Sequence, residues 1–429
     1  MESTQGSRSL ILRSFATTVV CALVMTACSP AGNHSGTRPS QTLRPEASPT
    51  LGPKASQTLR PPETTSSPRV PTKNALTSPP PKPDPVHLAF ARMTLQQRVG
   101  QLFMVGCPAT DVGVDTLQMI RDYHVGSVIL SGRSYLGRQH TAQITATLQS
   151  QATASATARI PLFIAADQEG GEIQVLHGPG FSDMPSAVQQ GGYTTASLRA
   201  AAQTWGAELH AAGVNVDLGP VLDTVPVEWV YSNPPIAGYN REFGNDPIAV
   251  ATHGTAVVRG LGAAGVDATL KHFPGLGRVS ANPDSHAGVT DDTTTRDDPF
   301  LAPFATAIRA GAPLVMISTA IYSRIDPYRP AAFSRTILTG VLRGDLRFAG
   351  LVISDDLGRA SQVQAWTPGD RAENFLSSGG DVVLTVEPSD IPQMTAAVLA
   401  RIRDDAAFAG LVNAAVLRVL TAKHARHLL

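Results

Sequence analysis

The sequence predicts a (β/α)8 barrel of the TIM type, and three observations carry that prediction. Eight short apolar runs recur between residues 99 and 386, at Val99–Gly106, Val125–Ser131, Pro161–Ala166, Val214–Pro220, Val266–Leu270, Leu314–Ser318, Leu351–Ser354 and Asp381–Val386. They are rich in Val, Ile and Leu without strict alternation, which suits parallel strands buried on both faces. Helix-compatible stretches with apolar residues three and four apart lie between or after them, most clearly Thr194–Ala212, Pro247–Ala264, Pro299–Ala310 and Phe408–Arg426. Eight strand–helix units in about 340 residues fit a barrel. A doubly wound open sheet is the structural rival, and counting strands does not exclude it.

The chain has 429 residues, and its N-terminal fifth stands apart. Arg8 and Arg13 precede a mostly apolar run from Phe15 to Ala27, too short to span a bilayer. The run ends in Met25-Thr26-Ala27-Cys28, which resembles a bacterial lipoprotein cleavage box, with Met25 where Leu is preferred. Residues 1–28 are therefore expected to be a signal peptide, with Cys28 lipidated and the chain held on the outer face of the cytoplasmic membrane of a bacterium; a plain secretory signal is the alternative. Cys21 falls inside the removed segment and Cys107 has no partner left. A disulfide is thus not expected, and Cys107 reads as a small buried hydrophobe.

Residues 29–86 hold 14 of the 33 prolines and no Phe, Trp or Tyr. Such a segment cannot offset its chain entropy by burial, so it is expected to be a disordered Pro/Ser/Thr-rich tether. The hexamer Ser-Gln-Thr-Leu-Arg-Pro occurs in it twice, at 40–45 and 56–61. Lys+Arg and Asp+Glu both total 34. Residues 1–28 carry +1 and residues 29–86 carry +4, so residues 87–429, the expected catalytic domain, carry −5. Nothing here supports a nucleic-acid partner.

On a barrel the chemistry lies at the C-terminal ends of the strands. The third run ends in Asp167-Gln168-Glu169-Gly170-Gly171, and the fourth leads through Pro220 to Asp223. The fifth runs into Lys271-His272-Phe273-Pro274-Gly275-Leu276-Gly277, and the seventh ends in Asp355-Asp356. One acid after a strand commonly caps the next helix. Four such ends together favour a polar, ligand-facing mouth. Beyond the fifth run, Asp284 and His286 are two apart and can face one another if the loop is extended or turned. A carboxylate beside an imidazole suits general acid/base work, although a surface pair that merely closes the loop fits the spacing equally. No metal-ligand spacing, nucleophile elbow or phosphate loop occurs, so neither metal nor cofactor is expected.

These segments resemble the family-3 glycoside hydrolases, particularly the single-domain β-N-acetylglucosaminidases. The carriers are Asp167 to Gly171, Pro220-Val221-Leu222-Asp223, Asn240-Arg241-Glu242-Phe243-Gly244, Lys271 to Gly277 with Asp284-Ser285-His286, and Ser354-Asp355-Asp356-Leu357. The resemblance implies a barrel fold and a retaining exo-β-N-acetylglucosaminidase that removes terminal GlcNAc from peptidoglycan fragments during wall turnover. It implies Asp355 as nucleophile, His286 backed by Asp284 as acid/base dyad, and Asp167, Arg241, Lys271 and His272 as sugar-binding groups. Asp356 reads as structural. The chain departs from its relatives at Glu172, Val175, Leu276, Thr319 and Arg359. An exo-β-glucosidase, a glycoside phosphorylase and a non-catalytic sugar-binding lipoprotein are the alternative readings.

Overall fold

In the computed structural model, residues 84–429 are described. The signal segment with Cys28, and residues 29–83 of the expected tether, lie outside the described residues. Among the described residues the first helix, Pro85–Arg92, starts just before residue 87: Asp84 caps it by accepting from the Val86 N–H, and Val86 is buried.

Each of the eight apolar runs overlaps a strand, two of which extend beyond their runs: β1 Phe103–Pro108, β2 Ser127–Ser131, β3 Phe163–Ala166, β4 Val216–Asp217, β5 Asp267–Phe273, β6 Leu314–Ile317, β7 Leu351–Ser354 and β8 Val383–Thr385. All neighbours pair in parallel and in chain order, from β7 through β6, β5, β4, β3, β2 and β1 to β8. A single parallel bridge, Ile353 opposite Val382, joins β7 to β8 and completes the ring. This is the predicted barrel, not an open sheet. Nearly every strand residue is buried because the strands face packed side chains inside and helices outside.

Helices follow the strands in turn: α1 Val114–Asp122, α2 Gly137–Ser150, α3 Thr195–Ala211, α4 Pro247–Ala263, α5 Ala302–Arg309, a π-wound α6 Thr336–Asp345, α7 Pro368–Ser378, α8 Ile391–Asp404 and an additional α9 Ala406–Ala425. Their starts are written in the sequence. Thr194, Asp246, Thr367 and Asp405 each accept a backbone N–H at the head of α3, α4, α7 and α9.

Two expectations are adjusted. The run Val99–Gly106 opens as helix, because Thr94 and Gln97 form a reciprocal capping box that starts the helix Leu95–Gly100. The fourth run keeps only two strand residues. There the Asn215 side chain replaces ladder bonds, accepting from Ile164 N–H at 2.8 Å and donating to Leu162 O at 3.2 Å.

The end of the barrel away from the mouth is closed by Lys423 of α9. Its buried Nζ donates to Gln101 Oε1, Gly126 O and Pro161 O, each at 2.8 Å. At the mouth a small sheet of Thr290–Asp291, Ile321–Tyr322 and Asp326–Pro330, which the apolar pattern does not announce, packs beside β6.

Candidate active site

The strand ends converge on a cleft of about 230 Å3. Its polar wall is Asp167, Arg241, Lys271, His272, Asn282, Asp284, Asp355 and Asp356, and its apolar parts include Ile129, Leu218, Met316, Leu384 and Val386. Six of the seven residues expected to act on a sugar therefore line one cavity. The seventh, His286, does not.

The wall is built on β3 and β5. After Asp167 the chain turns through Gly170 and Gly171, at φ +101° and +58°, a left-handed path that suits glycine. The turn carries Glu169 inward, where it is buried. Lys271 sits inside β5 rather than after it, and its Nζ lies 2.5 Å from Asp167 Oδ1 and 2.6 Å from Glu169 Oε1. Arg241 meets Glu169 fork to fork, Nε to Oε2 at 2.8 Å and Nη2 to Oε1 at 2.7 Å. A third Arg241 bond goes to Pro235 O. His272, the next residue after Lys271 across a cis peptide, has Nδ1 2.7 Å from Asp223 Oδ2. Asp223 also accepts from the His272 and Leu276 N–H groups. Its carboxylate fixes Nδ1 as the protonated nitrogen and leaves Nε2 as an acceptor towards the cleft, 3.4 Å from Arg241 Nη2.

Burial alone would raise the Glu169 carboxyl, but the adjacent Arg241 and Lys271 overcome this and hold it at about 2. The same carboxylates keep Lys271 protonated despite its burial, and Glu169 does so for Arg241. The wall thus presents fixed cationic donors alongside the Asp167 carboxylate, a mixed set suited to sugar hydroxyl and carbonyl oxygens. Behind it Asp217 is fully desolvated, which raises it well above the ordinary carboxyl range; it accepts from the Gln168 N–H.

Facing this wall, Asp355 follows β7. Its N–H donates to Ile317 O at 3.0 Å, and one carboxylate oxygen accepts from the Asp356 N–H at 2.8 Å. Asp356 accepts from Gly358, Arg359 and Val386 N–H groups, so it organises the loop and leaves Asp355 as the less encumbered carboxylate. Asp284 stands at the cleft mouth. Loss of hydration among the cleft walls, then the nearby Asp355 charge, push its carboxyl up to about 6.

Residues 94–422 match the family model described as the glycosyl hydrolase family 3 N terminal domain. The chain belongs to glycosyl hydrolase family 3. A Beta-hexosaminidase of Xylella fastidiosa is 33% identical over 326 residues, covering 74% of this chain and 92% of that protein. The solved structure of a Beta-N-acetylhexosaminidase from Beutenbergia cavernae aligns with a TM-score of 0.77 at 51% identity, over 77% of this chain and 99% of that one. A family 3 beta-N-acetylglucosaminidase from Paenibacillus aligns with a TM-score of 0.70 at 30% identity, over 78% of this chain and 63% of that one.

In this family-3 hydrolase one expected contact is absent. Asp284 and His286 do not touch: His286 is exposed, and its Nδ1 lies 2.9 Å from Ser285 Oγ. The cause is local. The N–H groups of Asp284, Ser285 and His286 all fold back onto Asn282, on its Oδ1 for the first and its carbonyl for the other two. Residues two apart in such a turn point in different directions. Of the departures from the relatives, only Leu276 reaches the cleft. Val175 and Thr319 are buried outside it, Glu172 is exposed, and Arg359 pairs with Glu387.

Glu169 and Asp223 were visible as motif members, but not as the groups that orient Arg241, Lys271 and His272. Their partners lie 72 and 49 residues away for Arg241 and His272. The usable signal was chemical: a lysine inside a buried strand and an arginine drawn into the same cleft need carboxylates.

Proposed function

We propose that this chain is a retaining exo-β-N-acetylglucosaminidase that removes terminal GlcNAc from peptidoglycan-derived fragments, using Asp355 as nucleophile. The observation that carries the reading is the position of Asp355. It is a carboxylate on a rigid strand end, facing a pre-organised wall of Asp167, Lys271, Arg241 and His272 in one cleft. The names of the similar proteins, Beta-hexosaminidase and Beta-N-acetylhexosaminidase, support the choice of sugar.

In the first step an Asp355 oxygen bonds to the anomeric carbon as the glycosidic C–O bond breaks, and the departing oxygen takes a proton from His286. In the second, water gives a proton to His286 and its oxygen displaces Asp355. His286 has to turn into the cleft for this, which a change within residues 284–288 accomplishes. Asp284, already at the mouth, is placed to receive the imidazole and stabilise its charged form. Lipidation of Cys28 and the segment 29–86 would hold the enzyme outside the cytoplasmic membrane, among wall fragments.

The test is release of nitrophenol from nitrophenyl β-GlcNAc and nitrophenyl β-glucose by the wild type and Asp355→Ala. Turnover of the GlcNAc substrate alone, lost in the variant, is the expected result. A preference for glucose would replace the sugar assignment. A dependence of turnover on added phosphate, with a sugar phosphate as product, would replace hydrolysis by phosphorolysis.

A further inference from the structure

We propose that Gln362 is a positioning residue for the acid/base loop, fixing both of its ends relative to the nucleophile. The proposal rests on the assignment of Asp284 and His286 made above. The loop leaves the cleft wall at Pro283 and returns at Val289, and both residues are buried. Five hydrogen bonds hold those ends, four of them from two adjacent residues and the fifth from the Ile321 N–H to Val289 O at 3.0 Å. The Gln362 N–H donates to Pro283 O at 3.1 Å, and the Ser361 N–H donates to Asp284 O at 3.0 Å. The Gln362 carboxamide then takes the whole Val289 peptide edge, its Oε1 accepting from Val289 N–H at 2.8 Å and its Nε2 donating to Val289 O at 3.1 Å.

Between these anchors, the other hydrogen bonds of residues 284–288 go to Asn282, to one another or to Thr290. The part free to rearrange is therefore the short segment that carries the dyad. The anchor belongs to the same loop as the nucleophile. That loop starts at Asp355 and is stiffened by Asp356, which accepts the Gly358 and Arg359 N–H groups, and by Arg371 and Gln364, which both donate to Gly358 O. A retaining hydrolase needs a set separation between nucleophile and acid/base. Here one loop presents the first and clamps the carrier of the second. Val289 offers one donor and one acceptor, and a carboxamide supplies the complement to both.

The test compares two leaving groups. A GlcNAc-containing disaccharide needs its leaving oxygen protonated, whereas dinitrophenyl β-GlcNAc does not. For Gln362→Ala, kcat/KM on the disaccharide should fall by about tenfold or more beyond any fall on the dinitrophenyl substrate, as expected when general-acid catalysis is impaired. Gln362→Met, which keeps the side chain's length and packing but can bond neither Val289 group, should show the same selective loss as Gln362→Ala; it also carries the comparison if Gln362→Ala does not fold. Equal losses on both substrates, or none, would overturn the positioning role. His286→Ala is the reference: if it shows no leaving-group selectivity, the acid/base assignment fails, and the proposal with it.

Discussion

Glu169 and Arg241 face each other fork to fork at 2.7 and 2.8 Å, with one Glu169 oxygen shared by Lys271 at 2.6 Å. Neither cation is offset by Asp167 alone, because the single Asp167 contact goes to Lys271. Glu169 is thus the residue on which the cleft-facing donors are mounted.

Glu169→Gln is predicted to destabilise the folded enzyme by about 3 kcal/mol at neutral pH, the order expected when a buried pair loses one charge. The sign with pH is fixed. The carboxyl sits at about 2 instead of 4.5, so its stabilising contribution is complete above about 4.5 and disappears as pH falls towards 2. Urea unfolding of both proteins should show a gap that is widest at neutral pH and closes on acidification. Loosening Arg241 and Lys271 should also lower kcat/KM, on the order of tenfold to a hundredfold.

Asp284→Asn should separate stability from activity. The wild-type carboxyl is raised from 3.8 to about 6, so it favours folding while protonated and costs stability once pH passes through that range. The substitution should stabilise the folded state slightly at pH 7 to 8, by less than about 1 kcal/mol because the residue is exposed to solvent screening, and raise the melting temperature accordingly. No gain is expected at pH 3. Turnover should fall by about a hundredfold or more if Asp284 supports the acid/base. Melting curves at the two pH values, with rates beside them, check both halves.

At the opposite end of the barrel, Lys423→Met removes three donors at once. Gln101, Gly126 and Pro161 carry the oxygens left behind. Leaving buried acceptors unmatched typically costs about 1–3 kcal/mol each, and local rearrangement offsets part of it. A loss of about 2–4 kcal/mol in chemical denaturation is expected, with KM unchanged because the site lies across the barrel. A variant as stable as wild type would show that the plug is not needed.

The strands were legible because their signal is local: apolar runs such as Leu351–Ser354 and Leu314–Ser318 contain β7 and β6 within a residue. Helix starts were legible for the same reason, through caps such as Asp246 and Thr194. The small sheet was not. Asp326–Pro330 contains two prolines, two charges and one exposed tyrosine, a pattern with no apolar face to read. The site residues were legible in identity and in convergence, but not in orientation. The spacing of Asp284 and His286 permits contact, and only the turn onto Asn282 decides against it in this conformation. Gln362 carried no signal at all, since its partners lie 73 or more residues earlier in the chain.

The central claim is that Asp355 attacks the sugar. A fluorinated N-acetylglucosaminyl fluoride that forms the glycosyl-enzyme readily and releases it slowly should leave one adduct, which peptide mass spectrometry locates. An adduct on Asp355, absent from Asp355→Ala, is the predicted result. An adduct on Asp356 or Asp284, or turnover with no covalent species and inverted product, would contradict it.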